Sequence, residues 1–192
     1  MYRMIVLAAA VVLGLGLFVA RAAPATKPTD AQIAHIAYTA DQLDIEAGKQ
    51  ALDKSKNADV RNFAQRMVAD HTSVNDQALA LVKKLNVTPE ENPTSQSLTQ
   101  AADAERKKLA GLDGAAFDKA YINNEVAYHK TVNEALSKTL IPDAQNAELK
   151  SLLETGLKLF ESHQQWPFNP AASMSSSEEG SWLNTVSFTR FQ

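Results

Sequence analysis

RNFAQRMVADHTSVND, residues 61–76, is the stretch that decides the fold, because its apolar residues recur at intervals of three and four. On a helix this spacing places them on one face, which continues beyond both ends of the stretch. The members of the face are Val60, Phe63, Ala64, Met67, Val74, Ala78, Leu81 and Leu85. His71 lies four residues after Met67 and three before Val74. The stretch therefore predicts an amphipathic helix with one histidine directed toward the core.

The helix that contains this stretch spans residues 57–85, and three further segments show the same periodicity. They cover residues 30–55, 115–140 and 142–166, so that residues 57–85 form the second of four helices. A mostly polar helix over residues 95–109 lies between the second helix and the third, residues 115–140. Asn86 is placed to end the second helix in a left-handed turn, and Pro142-Asp143 is placed to open the fourth. No strand pattern is present. The sequence predicts an all-α fold, an antiparallel up-down-up-down four-helix bundle with a short extra helix between the second and third.

Residues 1–22 have the features of an export signal. Arg3 supplies a positive start, an apolar run follows, and Ala20-Arg21-Ala22 fits the small-x-small cleavage pattern. The alternative is an uncleaved membrane anchor, although the run is somewhat short for a spanning helix. A linker at residues 23–29 and a bundle domain at 30–166 follow, and the Ser-rich residues 167–192 are predicted to be a disordered or loosely docked tail. After cleavage no transmembrane segment is expected, and the protein lies outside the cytoplasm.

Composition excludes several classes of function. The 192-residue chain has a formal net charge of −3 and no basic clusters, so no nucleic-acid partner is expected. It contains no cysteine, which excludes disulfides, iron–sulfur clusters, thiolate zinc sites and cysteine nucleophiles. Neither a phosphate-binding glycine loop nor a nucleophilic serine motif is present. Packing and buried polar side chains are left to carry both stability and function.

Polar residues fall at one level of the predicted bundle. Asp44 lies on the apolar face of the first helix, while Glu125 and His129, four residues apart, lie on or beside that of the third. With a rise of about 1.5 Å per residue, the up-down-up-down order brings them level with His71 in one mid-bundle layer. The same calculation places His163, on the fourth helix, well below this layer.

Several of these segments resemble an exported bacterial family, domain of unknown function 4142. The resemblance is carried by FAQRMVADHT in the second helix, DIEAGK in the first, FDKAYINNEVAYH in the third and His163 in the fourth. Its strongest element is the pattern of Phe63, Met67 and Asp70-His71, and it covers roughly residues 30–165. It implies a ferritin-like four-helix bundle with a signal peptide and a periplasmic or outer-membrane location, with no established reaction. Asp44 stands where the family pattern carries an acidic residue.

The full di-metal set of ferritin-like proteins is missing. That set needs two Glu-x-x-His pairs, yet Val68, Val126 and Phe160 stand three residues before the three histidines of these helices. A simpler site remains, in which two imidazoles and two carboxylates bind zinc, iron or manganese. Its predicted ligands are Asp44, His71, Glu125 and His129.

The other interpretation is a buried hydrogen-bonded pair of His71 and Asp44 that fixes the helix register. Asp70, about 100° round the helix from His71, is expected to face a neighbouring helix or solvent. The predicted core polar cluster is Asp44, Asp70, His71, Glu125 and His129. The sequence favours this structural pair, and with it a non-catalytic exported bundle that binds an unknown protein or envelope partner or maintains the envelope. A metal-binding ferritin-like protein is the alternative.

Overall fold

The computed structural model describes residues 27–165, which are helical and contain no strand. In chain order they form α1 (Asp30–Lys54), α2 (Ala58–Lys84), α3 (Pro93–Ala110), α4 (Gly114–Ala135), a π-helical turn (Leu136–Leu140), α5 (Ile141–Asp143) and α6 (Ala147–Gln165). None of the helices in this part of the chain combines the length and apolarity that a membrane span requires. The predicted signal peptide and the predicted tail lie outside the described residues.

Local side-chain hydrogen bonds set the helix ends. Thr29 accepts a hydrogen bond from the Gln32 backbone N–H while the Gln32 side chain accepts one from the Thr29 N–H, which forms a capping box at α1. Asn57 accepts from two backbone N–H groups at the start of α2. Asn86 adopts a φ of 52° after α2, so the left-handed turn that the sequence indicated is present.

Two apolar clusters show the direction in which each helix runs. The upper cluster joins Ala51 at the end of α1 with Val60 at the start of α2 and Phe117 at the start of α4. The lower cluster joins Ile33 near the start of α1 with Leu149 near the start of α6 and with the π-helical turn. Therefore α4 runs parallel to α2 and antiparallel to α1, while α6 runs parallel to α1.

The predicted up-down-up-down order is wrong, because α3 makes a full pass along the molecule. The Asn92 side chain caps α3 by accepting from the backbone N–H groups of Thr94 and Ser95, so the helix starts earlier than its polar sequence suggested. Its 18 residues span about 27 Å, and Leu109 near its end joins the upper cluster. The chain is thus back at the upper end when α4 begins.

The start of the last helix also differs from the prediction. Pro142 and Asp143 end α5 rather than opening α6. The α6 helix begins at Ala147, where the Asn146 side chain accepts hydrogen bonds from the first backbone N–H groups. Asp30 accepts from the backbone N–H groups of Gln145 and Asn146 and so fixes the connection to the base of α1. Starting four residues later shifts α6 by about 6 Å along the bundle.

Gly48 permits the close approach of α1 and α2, and Gly48→Ala is expected to lower the free energy of unfolding by about 1–3 kcal/mol. A Cβ at this position would lie 2.9 Å from Val68 Cγ2 and 3.2 Å from the Ala64 carbonyl oxygen, so the helices would have to separate. Chemical denaturation followed by circular dichroism measures the change. Gly111→Ala is the matched control, because its Cβ would meet only the Lys108 carbonyl oxygen, at 3.5 Å. Equal stability of the two variants would contradict the role of Gly48.

Candidate functional site

A layer of buried histidines and carboxylates separates the two apolar clusters. It contains His71 on α2, His129 on α4 and His163 on α6, each no more than 3% exposed. Asp44 on α1 and Glu125 on α4 are each 1% exposed and complete the layer. The structure therefore brings together the four residues that the sequence proposed as a metal site, and it adds a third histidine to them.

His71 lies between two carboxylates of α1. Its Nδ1 is 2.7 Å from Asp41 Oδ1 and its Nε2 is 2.5 Å from Asp44 Oδ2. Burial by itself would lower the pKa of His71, but the charges of the two carboxylates and the hydrogen bonds to them outweigh burial and raise the pKa to about 10. Burial likewise opposes ionisation of Asp44, yet the neighbouring His71 and His129 hold its pKa well below the usual range. Without a metal, His71 is an imidazolium at neutral pH.

His129 presents an unprotonated nitrogen to the same point. Its Nδ1 donates a hydrogen bond to the Glu125 backbone carbonyl at 2.9 Å, so the other nitrogen carries the lone pair. That Nε2 lies 3.4 Å from His71 Nε2 and 3.4 Å from Asp44 Oδ2. Burial lowers the pKa of His129 and outweighs the nearby Asp44 charge, which would raise it. The lowered pKa keeps the ring neutral.

His163 is a member of the layer, so the prediction that it lies well below is wrong. Its ring centroid is 5.3 Å from those of both His71 and His129. The error arose from the later start of α6 and from the assumed helix directions. His163 Nε2 donates to Asp70 Oδ2 at 2.8 Å, and burial lowers the pKa of His163 to about 4. Its Nδ1 is buried and has no hydrogen-bond partner among residues 27–165.

The carboxylates of Asp44 and Glu125 are buried without well-aligned hydrogen bonds from the described residues. Burial raises the pKa of Glu125 well above its usual range, and the charge of Asp44 adds to the effect. In the metal-free protein Glu125 therefore holds a proton more readily than an exposed carboxyl group does. Buried polar atoms without partners in a native protein indicate a missing ion or water. In this layer Asp44 Oδ1, both carboxyl oxygens of Glu125 and the free nitrogen of His163 show this property, while Asp44 Oδ2 pairs with His71 at 2.5 Å.

The spacing of these atoms suits a metal ion. One ligand atom from each of His71, His129 and His163 lies within 4.8 Å of the others, and the same holds for Asp44, Glu125 and His129. Ligands about 2.0–2.1 Å from a tetrahedral ion lie about 3.4 Å apart, which is the distance from His129 Nε2 to its two neighbours. The closer contact of His71 with Asp44 would have to open by about 0.9 Å to admit an ion.

Each histidine is also oriented from outside the layer. The anchoring acceptors are the Asp41 carboxylate for His71, the Glu125 backbone carbonyl for His129 and the Asp70 carboxylate for His163. Such outer hydrogen bonds fix the ring orientation and tautomer of metal-binding histidines. Asp70 faces the neighbouring helix α6, as the sequence predicted when it placed this residue toward a neighbouring helix or solvent.

Sequence reasoning missed two supporting residues. Asp41 lies three residues before Asp44 and hence on the same side of α1, a spacing that was available as a signal. Phe160 stacks on the His71 ring with centroids 4.6 Å apart and planes inclined by 10°. No sequence pattern indicated that contact, because it depends on the register of α6.

Comparison with known proteins gives a family and a fold. A family model described as a domain of unknown function (DUF4142) matches residues 18–166. No curated protein sequence matches the chain. A crystal structure of a DUF305 protein from Streptomyces coelicolor, whose description proposes that it is secreted, is similar with a TM-score of 0.61 and 17% identity. The match covers 71% of this chain and 87% of the other. At this level of identity the similarity bears on the fold alone.

Proposed function

Since the chain belongs to the DUF4142 family, for which no function is known, its role has to come from its own residues, and we propose that it is an exported protein that binds one divalent metal ion in the buried layer. The proposal is carried by two overlapping groups of buried donor atoms that share His129: the three histidines, and the set of Asp44, Glu125 and His129. The ligands are His71, His129, His163 and Asp44, with Glu125 as a fifth donor.

Export is supported by the signal-like residues 1–22 and by the secreted status proposed for the similar DUF305 protein. The location is the periplasm or the outer membrane. The proposed architecture is a ferritin-like four-helix bundle of α1, α2, α4 and α6. In support, α3 acts as one long crossover between two antiparallel pairs, and ferritin-like bundles have one such connection.

The donor chemistry selects the class of metal. Three imidazoles and one carboxylate suit zinc, and the addition of the Glu125 carboxylate suits iron or manganese with a larger coordination number. Binding displaces the Nε2 proton of His71 and requires Glu125 to be ionised, because metal ligands must be deprotonated. The Nδ1 proton of His71 stays on its hydrogen bond to Asp41.

The burial of the ligands favours a non-catalytic role. Each of the five side chains is at most 3% exposed, so a bound ion would have little contact with a substrate from solvent. An ion held by α1, α2, α4 and α6 would instead lock the four helices together and stabilise the protein in the cell envelope. This proposal keeps the non-catalytic role that the sequence favoured and replaces the simple His71–Asp44 pair with a metal site.

Metal analysis tests the proposal. The full chain, treated with chelator and reloaded with zinc, iron or manganese, is expected to bind one ion, as measured by mass spectrometry. Free metal at about 1,000 times the dissociation constant should stabilise the fold by about 4 kcal/mol. His163→Leu should abolish binding. His35→Leu should leave it intact, because His35 lies outside the layer, with its Nδ1 3.4 Å from Thr39 Oγ1. No bound metal and no thermal shift would overturn the proposal.

A further inference from the structure

Below the histidine layer, the described helices surround a cavity of about 610 Å³. It lies in the lower half of the molecule, between α1, α2, α3, α4 and α6. Its walls are aliphatic and include Ile36, Val74, Leu81, Leu136, Leu149 and Leu153. At its upper end, Asp41 and Phe160 line the cavity and also contact His71. The cavity therefore borders the histidine layer without containing the proposed ligands.

The cavity is partly open to solvent, so its aliphatic walls are in contact with water when no ligand is bound. Removing apolar surface from water gains about 25 cal/mol per Å². The walls are therefore suited to an apolar occupant.

The shape of the cavity identifies the kind of occupant. Its lining runs from Gln32 to Asp41 on α1 and from Thr131 on α4 to Leu140 in the π-helical turn, a rise of about 13 Å in each case. Three threonines of the lining, Thr94 on α3, Thr131 on α4 and Thr139 in the π-helical turn, are exposed and give its solvent-facing edge a hydroxyl-bearing rim. An elongated apolar cavity with a polar rim matches an extended alkyl chain that carries a small head group.

The π-helical turn gives a second reason to regard the cavity as a site. This turn, Leu136–Leu140, supplies Leu136, Thr139 and Leu140 to the cavity wall. Single π-helical turns inside α-helices are rare and frequently occur at functional sites. Here the irregular turn coincides with the cavity and not with the histidine layer, which lies about two to three turns earlier in the same helical run.

We propose that this cavity binds a linear alkyl chain, the apolar part of a single-chain amphiphile such as a free fatty acid or a monoacyl lipid. The chain enters with its apolar end first, and its head group stays at the threonine rim. Asp41 at the inner end disfavours an anionic head group there. The volume lies within the range of about 300–1,000 Å³ that is typical of small-molecule sites. The proposal does not depend on metal binding.

Calorimetric titration of the full chain with n-decanol and with 1-adamantanol tests the proposal. Decanol should bind once per chain with a negative heat-capacity change, and the compact adamantanol should bind at least about tenfold more weakly. Titrations of chelator-treated and zinc-loaded protein keep the result separate from the metal site, since loss of metal binding alone leaves this expectation unchanged. Absence of decanol binding to both forms, or equal affinity for the two alcohols, would overturn the proposal.

Two substitutions on α2 provide a matched pair. Ala78→Phe fills the cavity and should weaken decanol binding at least about tenfold, whereas Ala80→Phe adds the same ring to the exposed side of the helix and should have no effect. Circular dichroism verifies that each variant is folded. Ala37→Phe repeats the test from α1 if Ala78→Phe does not fold. Equal affinity of the filled and control variants would place the alcohol elsewhere and overturn the proposal.

Charged ligands test the orientation and the source of the chain. Decanoate should bind about as well as decanol, because its carboxylate remains at the rim; exclusion of decanoate would show that the head group meets Asp41 and would overturn the proposed orientation. Decanoyl lysophosphatidylcholine serves as the lipid ligand. Tighter binding of this lipid would indicate that the natural alkyl chain belongs to a membrane lipid. Tighter binding of decanoate would indicate that it belongs to a free fatty acid. Either order supports an alkyl-chain site.

Discussion

Replacing His71 with leucine is expected to lower the free energy of unfolding of the metal-free protein by about 3–5 kcal/mol at pH 7. The substitution removes the cation between Asp41 and Asp44, which are 4% and 1% exposed and cannot turn toward solvent. Two carboxylates would then face each other across an apolar side chain, and at least one would have to take up a proton. Urea denaturation in the presence of chelator, followed by circular dichroism, measures the loss.

The stability of the His71→Leu protein distinguishes a charged His71 from an ordinary polar residue of the core. If its partner could reach water, His71→Leu would be tolerated or mildly stabilising, as the sequence alone suggested. Adding Asp41→Asn and Asp44→Asn to His71→Leu should recover much of the stability, because the buried charges are then gone. His35→Leu should change the stability by no more than about 0.5 kcal/mol. A His71→Leu protein as stable as the parent would refute the buried ion-pair arrangement.

The stability of the metal-free protein is expected to fall as the pH rises from 6.5 to 10. The pKa of His71 is 6.5 in the unfolded chain and about 10 in the folded protein, so its stabilising effect is fully present below pH 6.5 and is lost through pH 10. The loss is on the order of 5 kcal/mol, since one pKa unit corresponds to about 1.4 kcal/mol. Burial also raises the pKa of Glu125, so this residue likewise lowers the stability as the pH rises above its unfolded pKa of 4.5.

The acid side has a different cause. Burial lowers the pKa of His163 to about 4, so its unfolded form binds a proton more readily and stability declines as the pH falls from 6.5 to 4. His129, whose pKa is also lowered by burial, contributes in the same sense. Between pH 4.5 and 6.5 the raised pKa of Glu125 opposes this trend, so the decline on the acid side is expected to be shallower than the decline on the alkaline side.

Metal binding should reverse the alkaline trend. Protons compete with the ion for His71 and Glu125, so the stabilisation by zinc should grow over the pH range in which the metal-free protein weakens. Thermal unfolding at a series of pH values, with chelator and with zinc, measures both trends. The triple variant His71→Leu, Asp41→Asn, Asp44→Asn in chelator should show a smaller alkaline decline than the parent protein, because it lacks both the imidazolium and the two buried carboxylates. An equal decline in both proteins would contradict the assignment of the effect to His71.

The sequence located the histidine layer although it assigned α4 the wrong direction. Glu125 and His129 lie near the middle of the continuous helical run of residues 114–143, and the midpoint of a helix is at the same level whichever way the helix runs. His163 lies near the end of α6, where an error in the start or the direction changes the level of a residue. For that reason the sequence could place Glu125 and His129 but not His163.

The helix directions themselves could not be obtained from periodicity. The α3 helix buries only Ser95 and Leu109 among its residues, so its pattern was that of a short solvated insertion. Its length depends on the Asn92 cap, and its pass along α1 depends on tertiary packing. The start of α6 depended on a choice between two capping signals, and Asn146 forms the cap rather than Asp143. Local sequence signals of equal strength cannot be ranked without the packing around them.

The position of α3 has a consequence for how quickly an ion enters and leaves. Beneath this helix lies a cavity of about 260 Å³ that is lined by both carboxylates of the layer, Asp44 and Glu125, and by Arg106 and Leu109 of α3. Because α3 buries few side chains, its detachment is expected to cost less free energy than separation of the other helices. The residence time of the ion would then depend on how often this one helix lifts away, so exchange is expected to be faster than unfolding of the whole protein would allow.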